Sequence, residues 1–462
     1  MTSFRPEKTN WKYISTLLIL TLLISGGIFF YTKKIMREIA VIRHYPEIEK
    51  IEAKNPEKIP VFLELFDETR QELILSQTDF MEVNLAEMKV KLYKKGLLEN
   101  EFAILKRGDP QGWGGSAVGL YKVLDGSKLS FSGIANVYMP YAIHYYGKYY
   151  IHGEPYYSFG GTLDSPVSGG CINLSTEDAQ SVFELAELNM PVLVVDKDRD
   201  YYDYSKEEPS EFPEISAQSY LAADLDSGQI FAEKNSQEQF PIASLTKLMT
   251  AIIVSENVDL RKSILIDEEM LKGYGSTKGL EKGKWFRVVE LFYPLLIESS
   301  NDAAEALSYF LGRTKTIRLM NEKTKDILMD NTKFVDPSGF DPENVSTARD
   351  LFYLARYILN NRPLILDITK GNEVLSFGEI NFNIKDFWNK NIFINDPTFV
   401  GGKTGFIKAS KNTAVFIFHF SADDGVERNV VIIILEAENT ESDAQKIYKW
   451  LQENYFKNSV YY

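Results

Sequence analysis

The chain has 462 residues, which at roughly 100–200 residues per domain points to two or three domains. Hydrophobic residues at 44% and charged residues at 25% exclude wholesale disorder, and a net charge of −14 argues against a nucleic-acid binder, which needs a basic footprint. One cysteine and four histidines, none in HExxH spacing, exclude an intramolecular disulfide and a thiolate metal cluster, so no metal or other cofactor is expected.

After a short tail (1–12), Tyr13–Thr32 offers 20 residues without a charge. As a helix it spans about 30 Å of hydrocarbon, with Trp11, Tyr13, Phe29, Phe30 and Tyr31 near its ends. A cleaved signal peptide, with Ser25 and Gly27 as a small-x-small site, is the alternative, but the length favours an uncleaved anchor. Basic residues flank both ends, so charge does not decide the orientation. Residues 33–79 are charged and partly amphipathic and read as a helical stalk.

From Phe80 the pattern turns to strands (FMEVNL, KVKLYKKG, EFAILKRG, AVGLYKV, KYYIHG), punctuated by glycines. TEDAQSVFELAELN predicts a helix, with Thr176 and Asp178 as candidate caps, and PVLVV a buried strand. Residues 197–214 are rich in acidic residues and proline and read as a linker. Asp196, Asp198, Asp200 and Glu207 match calcium-loop positions, but Tyr201 replaces the glycine that the sharp turn requires, which argues against calcium. Residues 215–462 alternate strands and helices and are long enough for a core of their own.

Three short motifs follow in order: SLTK at 244–247, SSN at 299–301 and KTG at 403–405. Each alone is weak. PIASLTKLMTAIIVSEN, however, predicts a helix opened by Pro241 that places Ser244 in its first turn and Lys247 one turn on, on the same face. A serine becomes a nucleophile only beside a base, and lysine serves when burial or a second cation lowers its pKa. Lys403 is the candidate second cation, and the glycines of FVGGKTGF suit a strand whose backbone approaches a ligand.

With YLAADLDSGQIFAEKN, SSNDAAEAL and TKFVDPSGFDPENVSTARDLFYLARYIL around these motifs, residues 216–455 resemble the D-alanyl-D-alanine carboxypeptidases, the low-molecular-mass penicillin-binding proteins. The resemblance implies an α+β penicillin-binding-protein/β-lactamase-like transpeptidase fold. It implies Ser244 as the residue acylated by a D-Ala-D-Ala peptidoglycan stem peptide or by a β-lactam, and Lys247 as its base. Ser299 and Asn301 would relay protons and hold the substrate amide, and Lys403 and Thr404 would bind its carboxylate. Gly405 would line the cleft, and the N–H groups of Ser244 and Phe406 would form the oxyanion hole. A β-lactamase shares the three motifs, but a deacylating glutamate in E-x-x-L-N context is missing between Ser299 and Lys403.

The single cysteine lies in HGEPYYSFGGTLDSPVSGGCINLSTEDAQ. His152 precedes Cys171 by 19 residues, so the two meet only through the fold, and a histidine there would favour the thiolate. Gly169 and Gly170 permit a turn that points backbone N–H groups at an oxyanion. A small buried hydrophobe is the other reading of a lone cysteine. Residues 80–196 resemble the L,D-transpeptidase catalytic domain, a mainly-β sandwich, through His152 and the run Ser168-Gly169-Gly170-Cys171-Ile172-Asn173. The resemblance implies Cys171 as nucleophile, His152 as base and the Gly153 carbonyl as its orienter. Gly169 departs from the family, which has a histidine there, and this weakens the support of the turn.

Together these readings give a multidomain, single-pass membrane protein with both catalytic domains on the extracytoplasmic face. There a carboxypeptidase would hand tetrapeptides to an L,D-transpeptidase-like domain. A β-lactamase-like hydrolase, or a wall-binding scaffold with an inactive cysteine site, are the alternatives.

Overall fold

The computed structural model describes residues 64–456 apart from 164, 197–201, 203, 205–208, 273–276, 278, 375–377, 379 and 422–424. The expected anchor at 13–32 lies outside the described residues, as do Asp198, Asp200 and Glu207 of the calcium-like run. Among the described residues no helix is long and apolar enough to cross a membrane.

The N-terminal segment begins with α1 (Glu64–Leu75), the described part of the expected stalk. It is docked rather than free: Arg70 Nε sits 2.8 Å from Oε2 of the buried Glu82. In chain order come β1 (Phe80–Asn84), β2 (Lys89–Lys94), β3 (Leu97–Ala103), β4 (Gly119–Lys122), β5 (Asp125–Ser132), β6 (Val137–Tyr146), β7 (Tyr149–His152), β8 (Ile172–Asn173), α2 (Thr176–Leu185) and β9 (Pro191–Val195). They form two sheets, β3-β2-β1-β9-β4 and β5-β6-β7-β8, which share one core through Met81, Val83, Val192, Val194, Ile143, Tyr145 and Ile151. The EFAILKRG strand stops at Ala103, and helix α2 is capped by Ser175, whose Oγ accepts from Asp178 N at 3.0 Å, one residue before the expected Thr176.

The C-terminal segment runs β10 (Ser219–Asp224), β11 (Ile230–Lys234), β12 (Phe240–Pro241), α3 (Thr246–Asn257), β13 (Ser263–Leu265), β14 (Trp285–Arg287), α4 (Val288–Tyr293), α5 (Asn301–Tyr309), α6 (Arg313–Asp326), β15 (Val345–Ser346), α7 (Ala348–Asn361), α8 (Pro363–Lys370), β16 (Phe399–Ile407), β17 (Lys411–Ser421), β18 (Glu427–Ala437) and α9 (Thr440–Asn454). Its antiparallel sheet has the order β11-β10-β18-β17-β16. Alternation along β18 explains the layers: Val431, Ile433 and Leu435 face the cluster that contains α3 and α7, while Val430, Ile432 and Ile434 face α9 through Ile447, Trp450 and Leu451.

The two segments are not separate bodies on a spacer. One hydrophobic cluster runs through both, and the described residues of the two segments belong to one compact unit. Within the expected linker, 209–214 lies on the C-terminal segment: Phe212 stacks on Tyr220 with centroids 4.9 Å apart, and the Trp450 indole donates to Ser210 O at 3.0 Å. The aromatic residues among the acidic ones give this run apolar area to bury, which its charge content hides.

Glu256, at the C-terminal end of α3, lies at the centre of the junction and is fully buried. Lys323 Nζ and Arg362 Nη2 sit 3.1 and 2.8 Å from its two oxygens, and the Tyr357 hydroxyl also donates to it. From there the cations reach across to the N-terminal segment. Lys323 donates to Tyr121 Oη at 2.8 Å and lies over the Tyr146 ring, while Trp113 stacks on Phe292. Two buried cations on one carboxylate are tolerable only because hydroxyls, carbonyls and ring faces share the remaining charge.

Candidate active sites

Pro241 does not open the α-helix. It pairs with Val345 in the β12–β15 ladder, Ala243 follows with a left-handed φ of 48°, and a single tight turn over Ala243–Leu245 precedes α3. Ser244 therefore stands on that turn, at the mouth of a cleft, with Lys247 in the first turn of α3 and without solvent exposure. Lys247 Nζ lies 2.8 Å from Ser244 Oγ, 2.7 Å from Asn301 Oδ1 and 2.6 Å from Ser338 O. Burial lowers this lysine to about 7, against the opposing charge of Asp336. A neutral amine 2.8 Å from a serine hydroxyl can take its proton.

Asn301 begins α5, which Ser300 caps by accepting from Ala303 N, and Ser299 ahead of it adopts a left-handed φ of 66°. This strained position turns the Ser299 hydroxyl toward β16, where Lys403 Nζ donates to it at 2.9 Å and to Thr404 O at 2.7 Å. Burial, and then the charges of Lys247 and Lys390, hold Lys403 well below the ordinary lysine value. Gly405 allows β16 to approach the nucleophile: a Cβ there would lie 2.8 Å from Ser244 N. The cleft of about 590 Å³ is lined by Ser244, Ser299, Asn301, Thr404, Gly405 and Phe406, and a second lobe of about 600 Å³ shares Ser244, Asn301 and Phe406 with it.

Sequence reasoning did not single out Glu298, Lys390 or the loop 336–341. Asp336 accepts from the N–H groups of Ser338, Gly339 and Asp341, and so aims the Ser338 carbonyl at Lys247. The DPSG run, an Asx-turn signature, was the available signal for that loop. Glu298 and Lys390 carried none, because only the fold brings them to the cleft.

The second pocket contains His152, Gly169, Cys171 and Asn173, together with Lys106 and Lys148. The parallel β7–β8 ladder pairs His152 with Asn173 and so brings the histidine strand beside the strand that follows Cys171. His152 Nδ1 donates to Gly153 O at 2.6 Å, as expected, which leaves Nε2 with its lone pair, and the Asn173 amide lies 3.2 Å from both ring nitrogens. The expected thiolate-favouring effect of His152 is absent. Burial lowers the imidazole to about 4 and pushes the Cys171 thiol up to about 11, with the Tyr150 backbone and the Lys148 charge as the opposing influences on the thiol. Among the described residues no hydrogen bond joins His152 to Cys171. Both groups are neutral at rest because the pocket desolvates them more than they stabilise each other as ions. At Gly169 an added Cβ would meet open space, whereas Gly170, at φ 115°, is pressed against Tyr149.

A serine hydroxyl against a buried lysine, beside a five-stranded antiparallel sheet with helices on both faces, is the arrangement of an active-site-serine acyl-transfer enzyme. Residues 205–439 match the D-alanyl-D-alanine carboxypeptidase family, and residues 78–194 match the L,D-transpeptidase catalytic domain. The chain belongs to the D-alanyl-D-alanine carboxypeptidase family and is a serine-type enzyme of that family with an L,D-transpeptidase domain on its N-terminal side. It is 30% identical to a D-alanyl-D-alanine carboxypeptidase of Mycobacterium tuberculosis, over 44% of this chain and 70% of that one. It is 32% identical to a D-alanyl-D-alanine endopeptidase of Haemophilus influenzae, over 49% of this chain and 77% of the relative. Among solved structures, the D-alanyl-D-alanine carboxypeptidase of M. tuberculosis H37Rv aligns over 53% of this chain and 95% of its own, at 27% identity and a TM-score of 0.47.

Proposed function

We propose that the protein trims and then cross-links peptidoglycan stem peptides, using its two sites in sequence on the extracytoplasmic face of a membrane to which Tyr13–Thr32 anchors it. The observation that carries the reading is the Ser244–Lys247–Asn301 contact set with Lys403–Ser299 in the same cleft. Lys403 and Thr404 bind the carboxylate of the terminal D-Ala. Lys247 takes the Ser244 proton as Oγ bonds to the carbonyl carbon of the penultimate D-Ala, and the N–H groups of Ser244 and Phe406 stabilise the oxyanion. The C–N bond breaks, Ser299 relays a proton to the leaving amine, and D-Ala departs. Water then hydrolyses the ester to release a tetrapeptide. A β-lactam enters the same cleft and leaves a covalent acyl-Ser244.

The tetrapeptide is the acyl donor for Cys171. The Cys171 thiol passes its proton to Nε2 of His152 as Sγ bonds to the carbonyl carbon of the third residue. The C–N bond to D-Ala breaks and His152 returns the proton to the departing amine. An acceptor amine then displaces Sγ, its proton passing through His152 back to the thiol. In the resting structure the Gly170 N–H donates to Ser168 Oγ at 3.1 Å, so it reaches the oxyanion of this step only by leaving the serine. For this second site, binding of wall peptide without turnover is the competing reading, favoured by the missing His152–Cys171 hydrogen bond and by the glycine at 169.

The test is the full chain in detergent with pentapeptide, tetrapeptide and a labelled penicillin. Ser244→Ala should lose penicillin labelling and D-Ala release, and should block cross-linking from pentapeptide while sparing it from tetrapeptide. Stoichiometric labelling of Ser244→Ala would remove Ser244 from its role, and cross-linking from pentapeptide by that variant would reverse the order of the two steps.

A further inference from the structure

The cysteine site is not supported by its own segment alone. The Tyr149 ring lies against the Gly169–Gly170 turn so closely that a Cβ on Gly170 would come within 2.0 Å of Tyr149 Cε1. On its other side the turn meets the 108–116 loop: a Cβ on Gly170 would lie 3.2 Å from Gly114 O, and one on Gly114 would lie 3.2 Å from the Gly169 carbonyl carbon. The two elements that clamp the turn are held by one side chain of the carboxypeptidase segment. Arg362, fully buried between α7 and α8, donates from Nη2 to Tyr149 Oη at 2.7 Å and from Nη1 to Gly115 O at 2.7 Å. Glu256, 2.8 Å away, fixes the guanidinium from behind.

We propose that Arg362 is a positioning residue for Cys171: through Tyr149 and the 114–115 backbone it holds the turn that carries the nucleophile, support that the N-terminal segment lacks at Gly169. The proposal deepens the reading of Cys171 as the transpeptidase nucleophile. It requires a planar fork with several donors. Lysine, a point charge on a flexible stem, keeps the pairing with Glu256 but does not bridge a hydroxyl and a carbonyl at once.

The experiment measures three rates on the full chain: alkylation of Cys171 by iodoacetamide across pH, cross-linking from tetrapeptide, and penicillin acylation of Ser244. The variants are Arg362→Lys and Tyr149→Phe, the latter removing one hydroxyl and leaving the ring on the turn. A loosened turn gives the thiol more water, so alkylation at neutral pH should rise at least fivefold and its pH midpoint should fall toward that of an ordinary thiol. Cross-linking kcat should fall about 10-fold or more, by analogy with the loss of contacts that support the ligands of a metal site, with KM within twofold. Ser244 acylation should stay within twofold. If Arg362→Lys fails to fold, Tyr149→Phe decides. Unchanged alkylation rate and midpoint in a folded variant overturn the proposal, and so does an alkylation change that comes only with loss of Ser244 acylation, since Arg362 would then merely hold the segments together. Wild type that alkylates as described but never cross-links leaves the positioning role standing and defeats the transpeptidase reading instead.

Discussion

The lysine of the serine site makes its acylation chemistry pH-dependent in a direction fixed by burial. Lys247 sits without solvent exposure, and its pKa falls from 10.5 to about 7 because the charged form loses its water. That fall corresponds to roughly 5 kcal/mol against the ammonium. It sets how often the base is ready. At pH 7 about half of the molecules carry a neutral amine, against about one in 3,000 for an unperturbed lysine, a gain of about 10³ in competent enzyme. The neutral form is the active one, so the acylation rate should rise with pH through about 7 and level off above it. At pH 5 it should be about 100-fold below the plateau, one factor of ten for each unit. The assay is the pre-steady-state rate of acylation by a chromogenic penicillin between pH 5 and 9, on wild type and on Lys247→Arg, whose guanidinium keeps its proton throughout. The arginine variant should be slower by about 10²–10⁴ and lack the rise near 7. A flat wild-type profile, or the same rise in Lys247→Arg, would refute the assignment of Lys247 as the base.

Two further outcomes follow from glycines. Gly405→Ala places a Cβ 2.8 Å from Ser244 N. It should cut penicillin acylation by about 10²–10³, the scale of losing an oxyanion donor, while far-ultraviolet circular dichroism stays native. Acylation within twofold of wild type would show that the strand has room to move. At Gly169 an added Cβ meets nothing within 4 Å, so Gly169→His starts from an unobstructed Cβ. Cross-linking from tetrapeptide should rise, by up to about 10-fold if the added imidazole supports the turn as outer ligands support other reactive groups. No gain would favour the binding reading of that domain.

Short-range chemistry was legible in the sequence. The apolar runs KYYIHG and PVLVV, the β16 glycines and the order of SLTK, SSN and KTG depend on local pattern and on residue types that few other roles require. They pointed to both segments and to Ser244, Lys247, Ser299, Asn301, Lys403, His152 and Cys171. The Lys247–Ser244 contact was legible for the same reason, because three residues along a helix put two side chains on one face. The start of α3 was not. Proline at a helix N-terminus and proline in a short ladder look alike until Val345, more than 100 residues away, arrives to pair with it.

Tertiary structure alone decided the protonation states and the union of the two segments. Cys171 and His152 have the residue types of an ion pair, but desolvation depends on what packs around them, and that packing keeps them neutral. Nothing in the local sequence around Arg362, Lys323 and Glu256 sets them apart from ordinary charged residues. Only when α3, α6 and α7 close on the tyrosines of the N-terminal segment do they become a buried network, because its energy comes from removing water from groups far apart in the chain, and no local pattern encodes that removal.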